Sequence, residues 1–231
     1  MSGKEITIKA ADGGQFMGYL ATPTSGKGPG IVVIQEIFGV NKVMRDITDW
    51  LSGQGFMALC PDLFWRQQPG VQLTDKSQEE WGKAFGFMQG FDFAKGMADI
   101  QSTVTTLRGT SGCTGKVGAI GYCLGGRLAF AAATRTDADA AVSYYGVYLH
   151  EHIGENVKAP LMVHIAGEDE FFPKEGRDAV RNAFGKNPKV VIHDYPGRNH
   201  AFARVGGSNY HKGDADLANG RSIAFLKSKL A

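Results

Sequence analysis

The sequence predicts an α/β fold: a mainly parallel sheet with helices on both faces. Three observations carry this. Short apolar runs alternate with stretches of helical periodicity along nearly all 231 residues. Several runs, such as "GIVVIQE" at 30–36, are almost continuously apolar, as a strand covered on both sides must be. No internal repeat, low-complexity tract or linker interrupts the series, so one domain over residues 1–231 is expected.

From the N-terminus, "EITIKA" and "QFMGYLATP" flank "ADGG" and read as a hairpin with a glycine turn. "GIVVIQE" is the first buried strand. Val43, Met44, Ile47, Trp50 and Leu51 then recur at helical spacing and stop at "SGQG". "FMALCPD" (56–62) is the next strand, ended by Pro61. The segment from Arg66 to Gly90 has the least sheet character and is expected to cross one edge of the site as an excursion. Met97, Ile100, Val104 and Leu107 mark another helix. The strand "KVGAIGY" (116–122) follows and runs without a gap into the helix "LGGRLAFAAAT". "AAVSYYG" and "APLMVHIAG" are strands, "EGRDAVRNAFG" a helix, "KVVIHDYP" a strand and "LANGRSIAFLKSKL" a closing helix.

The composition, 43% hydrophobic and 21% charged, is that of an ordinary globular protein. Lys+Arg 25 against Asp+Glu 23 leaves a formal charge of +2, and no basic cluster is interleaved with aromatics, so nucleic acid is not an expected partner. The N-terminus lacks the apolar core of a signal peptide, and no apolar run has membrane-spanning length. Cys60, Cys113 and Cys123 are odd in number and far apart, which suits neither a disulfide framework nor a zinc site. A cytoplasmic location is the resulting expectation.

"GYCLG" (121–125) places Cys123 between a strand ending at Tyr122 and a helix starting near Leu124. This is the turn called a nucleophile elbow, where glycines at 121 and 125 let strand and helix backbones approach closely. A thiol there sits at a helix N-terminus, whose free N–H groups favour a thiolate and can donate to an oxyanion. On these five residues alone, a nucleophile and a packed cysteine are equally good readings. Nucleophilic catalysis also needs a base and an orienting acid, which in this architecture follow as acid, then histidine. "IAGEDEFFP" (165–173) offers Glu168, Asp169 and Glu170, and "YPGRNHAFAR" (195–204) offers His200. Both segments follow strands, which puts them at the sheet edge where Cys123 and ligands belong. His164 and His193 fall within strand runs and read as structural. His150, His152 and His211 have no companion acids at useful positions, and "HEH" (150–152) lacks a third metal ligand.

Together "QEIFGVN" (35–41), "CPDLFWRQQPG" (60–70), "GYCLGG" (121–126), "GEDEFFP" (167–173) and "NHAFAR" (199–204) resemble the dienelactone hydrolase family of the α/β-hydrolase superfamily. The match runs in order over essentially the whole chain. It implies an α/β-hydrolase fold and hydrolysis of lactone or ester bonds, with Cys123 as nucleophile, His200 as base and Asp169 as the orienting acid. Asp169 fills the family's G-x-D-x-x-x-P slot, which reads here Gly167, Asp169, Pro173. The resemblance also implies Glu36 beside the nucleophile. The N–H groups of Ile37 and Leu124 are the expected oxyanion hole. A carboxylate near the thiol opposes its ionisation while the helix dipole favours it, which fits a thiol that ionises when substrate rearranges Glu36. Arg204 suits a substrate carboxylate, and Phe38, within the Glu36 motif, is a further expected substrate contact.

Trp81 and Phe85 stand where well-described members carry an arginine and a tyrosine. A substrate less anionic, or bulkier and more apolar, than dienelactone is therefore expected. The implied partner is a small-molecule lactone or ester, with no cofactor, no metal, no nucleic acid and no membrane, and a monomer as the working expectation. The competing reading is a non-enzymatic or redox-sensing thiol protein on the same fold. That reading needs a resolving cysteine near Cys123, whereas Cys113 is expected at the opposite end of the strand.

Overall fold

The structure is a computed structural model that describes residues 3–231. The N-terminal hairpin forms as its pattern dictates: β1 (Lys4–Lys9) and β2 (Gln15–Ala21) pair antiparallel across a turn where Gly13 takes a φ of 91°. Next come β3 (Gly28–Ile34), α1 (Lys42–Gly53) and β4 (Met57–Pro61). Two helices, α2 (Gln78–Gln89) and α3 (Phe93–Arg108), lead to β5 (Cys113–Tyr122), α4 (Leu124–Arg135) and β6 (Ala140–Tyr144). A 3-10 turn (Leu149–His152) precedes β7 (Leu161–Ala166), α5 (Lys174–Phe184), β8 (Val190–Tyr195) and α6 (Lys212–Leu230).

These strands form one sheet in the order β1-β2-β4-β3-β5-β6-β7-β8, antiparallel only at β1–β2 and β2–β4. α1 and α6 cover one face, and α3 and α4 the other. Because both faces are covered, β4, β6 and β7 are buried along their whole lengths, whereas the edge strand β8 is buried only at its ends, Val190 and Tyr195. Ile31, Val32, Val33 and Ile34 are fully buried in β3. Each such side chain contributes about 1.5–3 kcal/mol through loss of apolar surface from water.

This strand order positions the site. α1 carries the chain from β3 to β4 on one side, and α3 returns it to β5 on the other side of β3. A crevice opens at the carboxyl ends of strands where the order reverses in this way. Ile34 of β3 pairs with Gly121 of β5, so residues 35–37 and 123–124 leave the sheet side by side. Glu36 itself lies two residues beyond β3, in the loop rather than in the strand.

The expected excursion over residues 66–90 contains a helix, α2. Ser77 caps it by accepting from the Glu80 N–H at 3.2 Å, an S-x-x-E start. Trp81, Ala84, Phe85 and Met88 recur at helical spacing, a signal diluted by the weak helix formers Gly82 and Gly86. Only Ala84 of α2 is fully buried; much of the remaining apolar face covers a cavity rather than the core.

Candidate active site

Cys123 joins β5 to α4 at φ 57° and ψ −117°, outside the regions a non-glycine residue ordinarily occupies. Such a conformation costs about 1–3 kcal/mol and persists only where the surroundings impose it. They do so through backbone proximity. A Cβ on Gly121 would lie 1.9 Å from the Gly125 carbonyl oxygen, and one on Gly125 would lie 2.3 Å from the Ile34 oxygen. The Cys123 N–H donates to the Tyr144 carbonyl at 3.1 Å, which ties the elbow to β6.

Two loops from neighbouring strands complete the cluster. Asp169 follows β7 and His200 follows β8, and His200 Nδ1 lies 2.9 Å from Asp169 Oδ2 and 3.0 Å from Oδ1. Of the three acids in "GEDE", Asp169 alone meets the histidine; Glu168 is exposed and Glu170 accepts from the Asn199 amide at 3.2 Å. The Asp169 carboxylate also accepts from the Phe171 N–H at 2.9 Å, which fixes its orientation. The His200 ring is flanked edge-on by Tyr145 and Phe171, and its Nε2 is buried without a hydrogen-bond partner.

Burial works against a charged His200, but when Cys123 is ionised its negative charge, with hydrogen bonds to Asp169 and to the thiolate, outweighs burial and raises the pKa to about 10. Beside a neutral thiol this leading support is absent and the ring is free to act as a base. A histidine raised above its ordinary value near 6.5 stabilises the fold fully below that pH, and the contribution is lost as pH rises through about 10. Across this interval the parent should lose stability relative to Asp169→Asn, and histidine-ring NMR should show a lower His200 titration in the variant. Parallel stability profiles and identical titrations would refute that assignment.

Glu36, Arg204 and a residue the sequence did not single out, the half-buried Asp75, form a charge cluster, with Lys76 Nζ 3.2 Å from Asp75 Oδ1 at its rim. Arg204 Nη1 donates to Glu36 Oε2 at 3.1 Å, and Nη2 lies 3.1 Å from Asp75 Oδ2. Burial disfavours the guanidinium charge, but the Glu36 charge and bond, with Asp75, hold its pKa above the ordinary arginine value. Arg204 therefore lies at the expected cleft already engaged by two carboxylates. The Glu36 carboxylate bonds this arginine rather than the thiol, and its Oε1 is buried without a partner. Tyr145, also unmarked by the sequence, has its phenol raised well above the ordinary range by burial and then by the Glu36 charge.

A cavity of about 300 Å³ opens over Cys123 and His200. One wall is a run of aromatic rings: Phe38 meets Trp81 at 4.9 Å between centroids, Trp81 meets Phe85 at 5.5 Å, and Phe85 meets Phe171 at 6.3 Å. The Trp81 indole N–H donates to the Asp75 carbonyl at 3.2 Å, coupling this wall to the charge cluster. Arg127 and Tyr148 line the same cavity. The Ile37 and Leu124 N–H groups both flank the elbow, and among the described residues neither donates to another protein group.

The remaining cysteines and histidines lie apart from this cluster. Cys113 opens the ten-residue β5 and Cys123 follows its other end, roughly 30 Å away at the rise of a strand. Cys60 is buried in β4, where burial pushes its thiol pKa up. His164 bonds the Tyr195 hydroxyl at 2.8 Å and the Ser222 hydroxyl at 2.9 Å inside the core. His152 and His211 do have companion acids three residues on, Glu155 at 2.6 Å and Asp214 at 2.9 Å. The first pair braces the 3-10 turn and the second caps α6, where His211 accepts from the Asp214 N–H. Among the described residues no helix is long and apolar enough to cross a membrane.

Comparison with known proteins places these features in a family. The model of the dienelactone hydrolase family matches residues 16–230. A protein of Azospirillum brasilense, provisionally named a carboxymethylenebutenolidase, is 49% identical over 98% of this chain and 99% of its own length. The carboxymethylenebutenolidase of Pseudomonas putida is 40% identical over 96% of this chain and 94% of its own. A crystal structure from Klebsiella pneumoniae, provisionally named a dienelactone hydrolase, superposes with a TM-score of 0.86 over 97% of both chains at 24% identity, a likeness of fold. With the family model and these relatives spanning nearly its full length, the chain belongs to the dienelactone hydrolase family.

Proposed function

We propose that this hydrolase of the dienelactone hydrolase type cleaves lactone or ester bonds through Cys123, His200 and Asp169, with a covalent acyl intermediate. His200 Nε2 takes the thiol proton, and the Cys123 sulfur attacks the carbonyl carbon. The resulting oxyanion accepts from the N–H groups of Ile37 and Leu124. Collapse breaks the carbon–oxygen bond, the departing alkoxide takes the proton from His200, and a thioester remains on Cys123. Water, deprotonated by His200, then attacks the thioester and releases the acid and the thiol. In a lactone the departing alkoxide stays tethered to the acyl chain, so one product leaves.

The observation that carries this reading is the Asp169–His200 pair, with its unpartnered Nε2, beside a strained elbow cysteine. Mass spectrometry after mixing with an activated aryl ester tests it. An acyl adduct should map to Cys123, and turnover without any adduct on Cys123 would sink the reading. The names of the relatives support a lactone of the dienelactone kind. The rings of Phe38, Trp81 and Phe85 favour a substrate with more apolar surface.

In this reading Glu36 governs when the thiol ionises, and its ion pair with Arg204 holds it away from the thiol in the free protein. Glu36→Gln should change the rate at which iodoacetamide alkylates Cys123. Asp75 remains to balance Arg204, so the fold should lose only about 1–2 kcal/mol, a fall of roughly 2–8 °C in Tm. Unchanged alkylation and unchanged turnover would restrict Glu36 to neutralising Arg204.

A further inference from the structure

Two arginines line the cavity over Cys123, and their charges are compensated very differently. Arg204 faces two carboxylates whose side chains are only 3% and 14% exposed, and its Nε is buried without a partner. A substrate anion would have to displace one of them from a site sheltered from water. Arg127 faces one carboxylate, Glu151, whose side chain is 49% exposed and therefore well screened.

Arg127 is also held in place. It sits on α4 one turn beyond Cys123, and helical side chains lean toward the N-terminus, here toward the elbow. Its Nε donates to His152 Nε2 at 3.0 Å, its Nη2 donates to Glu151, and its guanidinium packs over Phe93 at 4.9 Å. Burial holds the His152 pKa below the ordinary histidine value, against the pull of Glu155, so the ring can present a lone pair to Arg127. Nη1 is left over: among the described residues it makes no hydrogen bond, and it is not sealed from solvent. A rigid guanidinium with one free edge at a cavity is suited to a carboxylate.

We infer that Arg127, rather than Arg204, receives the carboxylate of a monoanionic substrate. This rests on the cavity being the substrate pocket, as proposed above. It makes Arg127 a specificity residue, and Asp75 the residue that withdraws Arg204 from that role. The pocket then selects an ester or lactone with an apolar body against the aromatic wall and a single acid group toward α4.

Binding of hexanoate and of hexanamide, measured by calorimetry, tests this. Neither carries an ester bond, so the result is independent of thiol chemistry; failure of Cys123 to acylate would sink the earlier reading and leave this one standing. The parent should prefer hexanoate. Arg127→Met should cut that preference roughly ten- to hundredfold, the scale of one charge-assisted hydrogen bond. Glu151→Gln should instead strengthen hexanoate binding several-fold, because it frees a second N–H edge without removing buried structure. A merely structural arginine would not give that opposite sign. Equal binding of the two probes by the parent, an unchanged preference in Arg127→Met, or hexanoate binding in Glu151→Gln that is unchanged or weaker would each overturn the assignment.

Discussion

Cys123→Ala should lower ester turnover by on the order of 10⁵–10⁶-fold, the scale of losing a covalent nucleophile whose partners cannot act without it. The expectation follows from the division of labour proposed for the site. In that proposal His200 and Asp169 move and steer a proton, and the Ile37 and Leu124 amides stabilise an oxyanion, but none supplies a bond to the acyl carbon. Cys123→Ser should leave only a small residue of activity, since a hydroxyl is far harder to ionise than a thiol. Both variants should fold, because the residue is small and the elbow conformation is imposed by backbone contacts rather than by the sulfur. Steady-state rates with an activated aryl ester, alongside thermal melts, check this. Turnover in Cys123→Ala at the parent rate would transfer the chemistry to another group.

Gly125→Ala should be among the most damaging single-methyl additions in the chain. The new Cβ would meet the Ile34 oxygen at 2.3 Å, the Gln35 oxygen at 2.5 Å and the Ile34 carbonyl carbon at 2.7 Å, all of them backbone atoms that cannot rotate away. Relief requires α4 to back away from the end of β3, which separates Leu124 from Ile37. A cost of about 3 kcal/mol or more, near or beyond the upper range of overpacking, corresponds to a fall of roughly 6–12 °C in Tm. Displacement of the proposed oxyanion donors should cost a further factor of about 10² in kcat. Gly86→Ala on α2 is the control. A Cβ there meets nothing within 4 Å, so it should stabilise the helix by about 0.5–1 kcal/mol. Equal melting of Gly125→Ala and the parent would mean that the elbow tolerates a wider gap than the backbone contacts permit.

The sequence by itself determined the alternation of strands and helices, the buried parallel core and the turn that carries Cys123. These rest on interactions within a few residues: the two-residue period of a strand, the 3.6-residue period of a helix, and the steric demand for Gly121 and Gly125. Family motifs in chain order singled out Asp169 and His200, and the structure brings them to 2.9 Å. The sequence marks residues 66–90 only as an excursion; α2 within it, with its Ser77–Glu80 start and the spacing of Trp81, Ala84, Phe85 and Met88, is obscured by two glycines. Only the tertiary structure decided which charges meet. Arg204 is marked by its motif, yet nothing near it in the chain predicts that Asp75 and Glu36 share its guanidinium. Arg127 reads locally as one basic residue on an apolar helix, and its free edge becomes visible only when the 3-10 turn brings Glu151 and His152 against it. The physical reason is reach. Local sterics and periodicity act along the chain, whereas a charge responds to whatever partner folding brings within a few ångströms, and these partners come from loops on different strands.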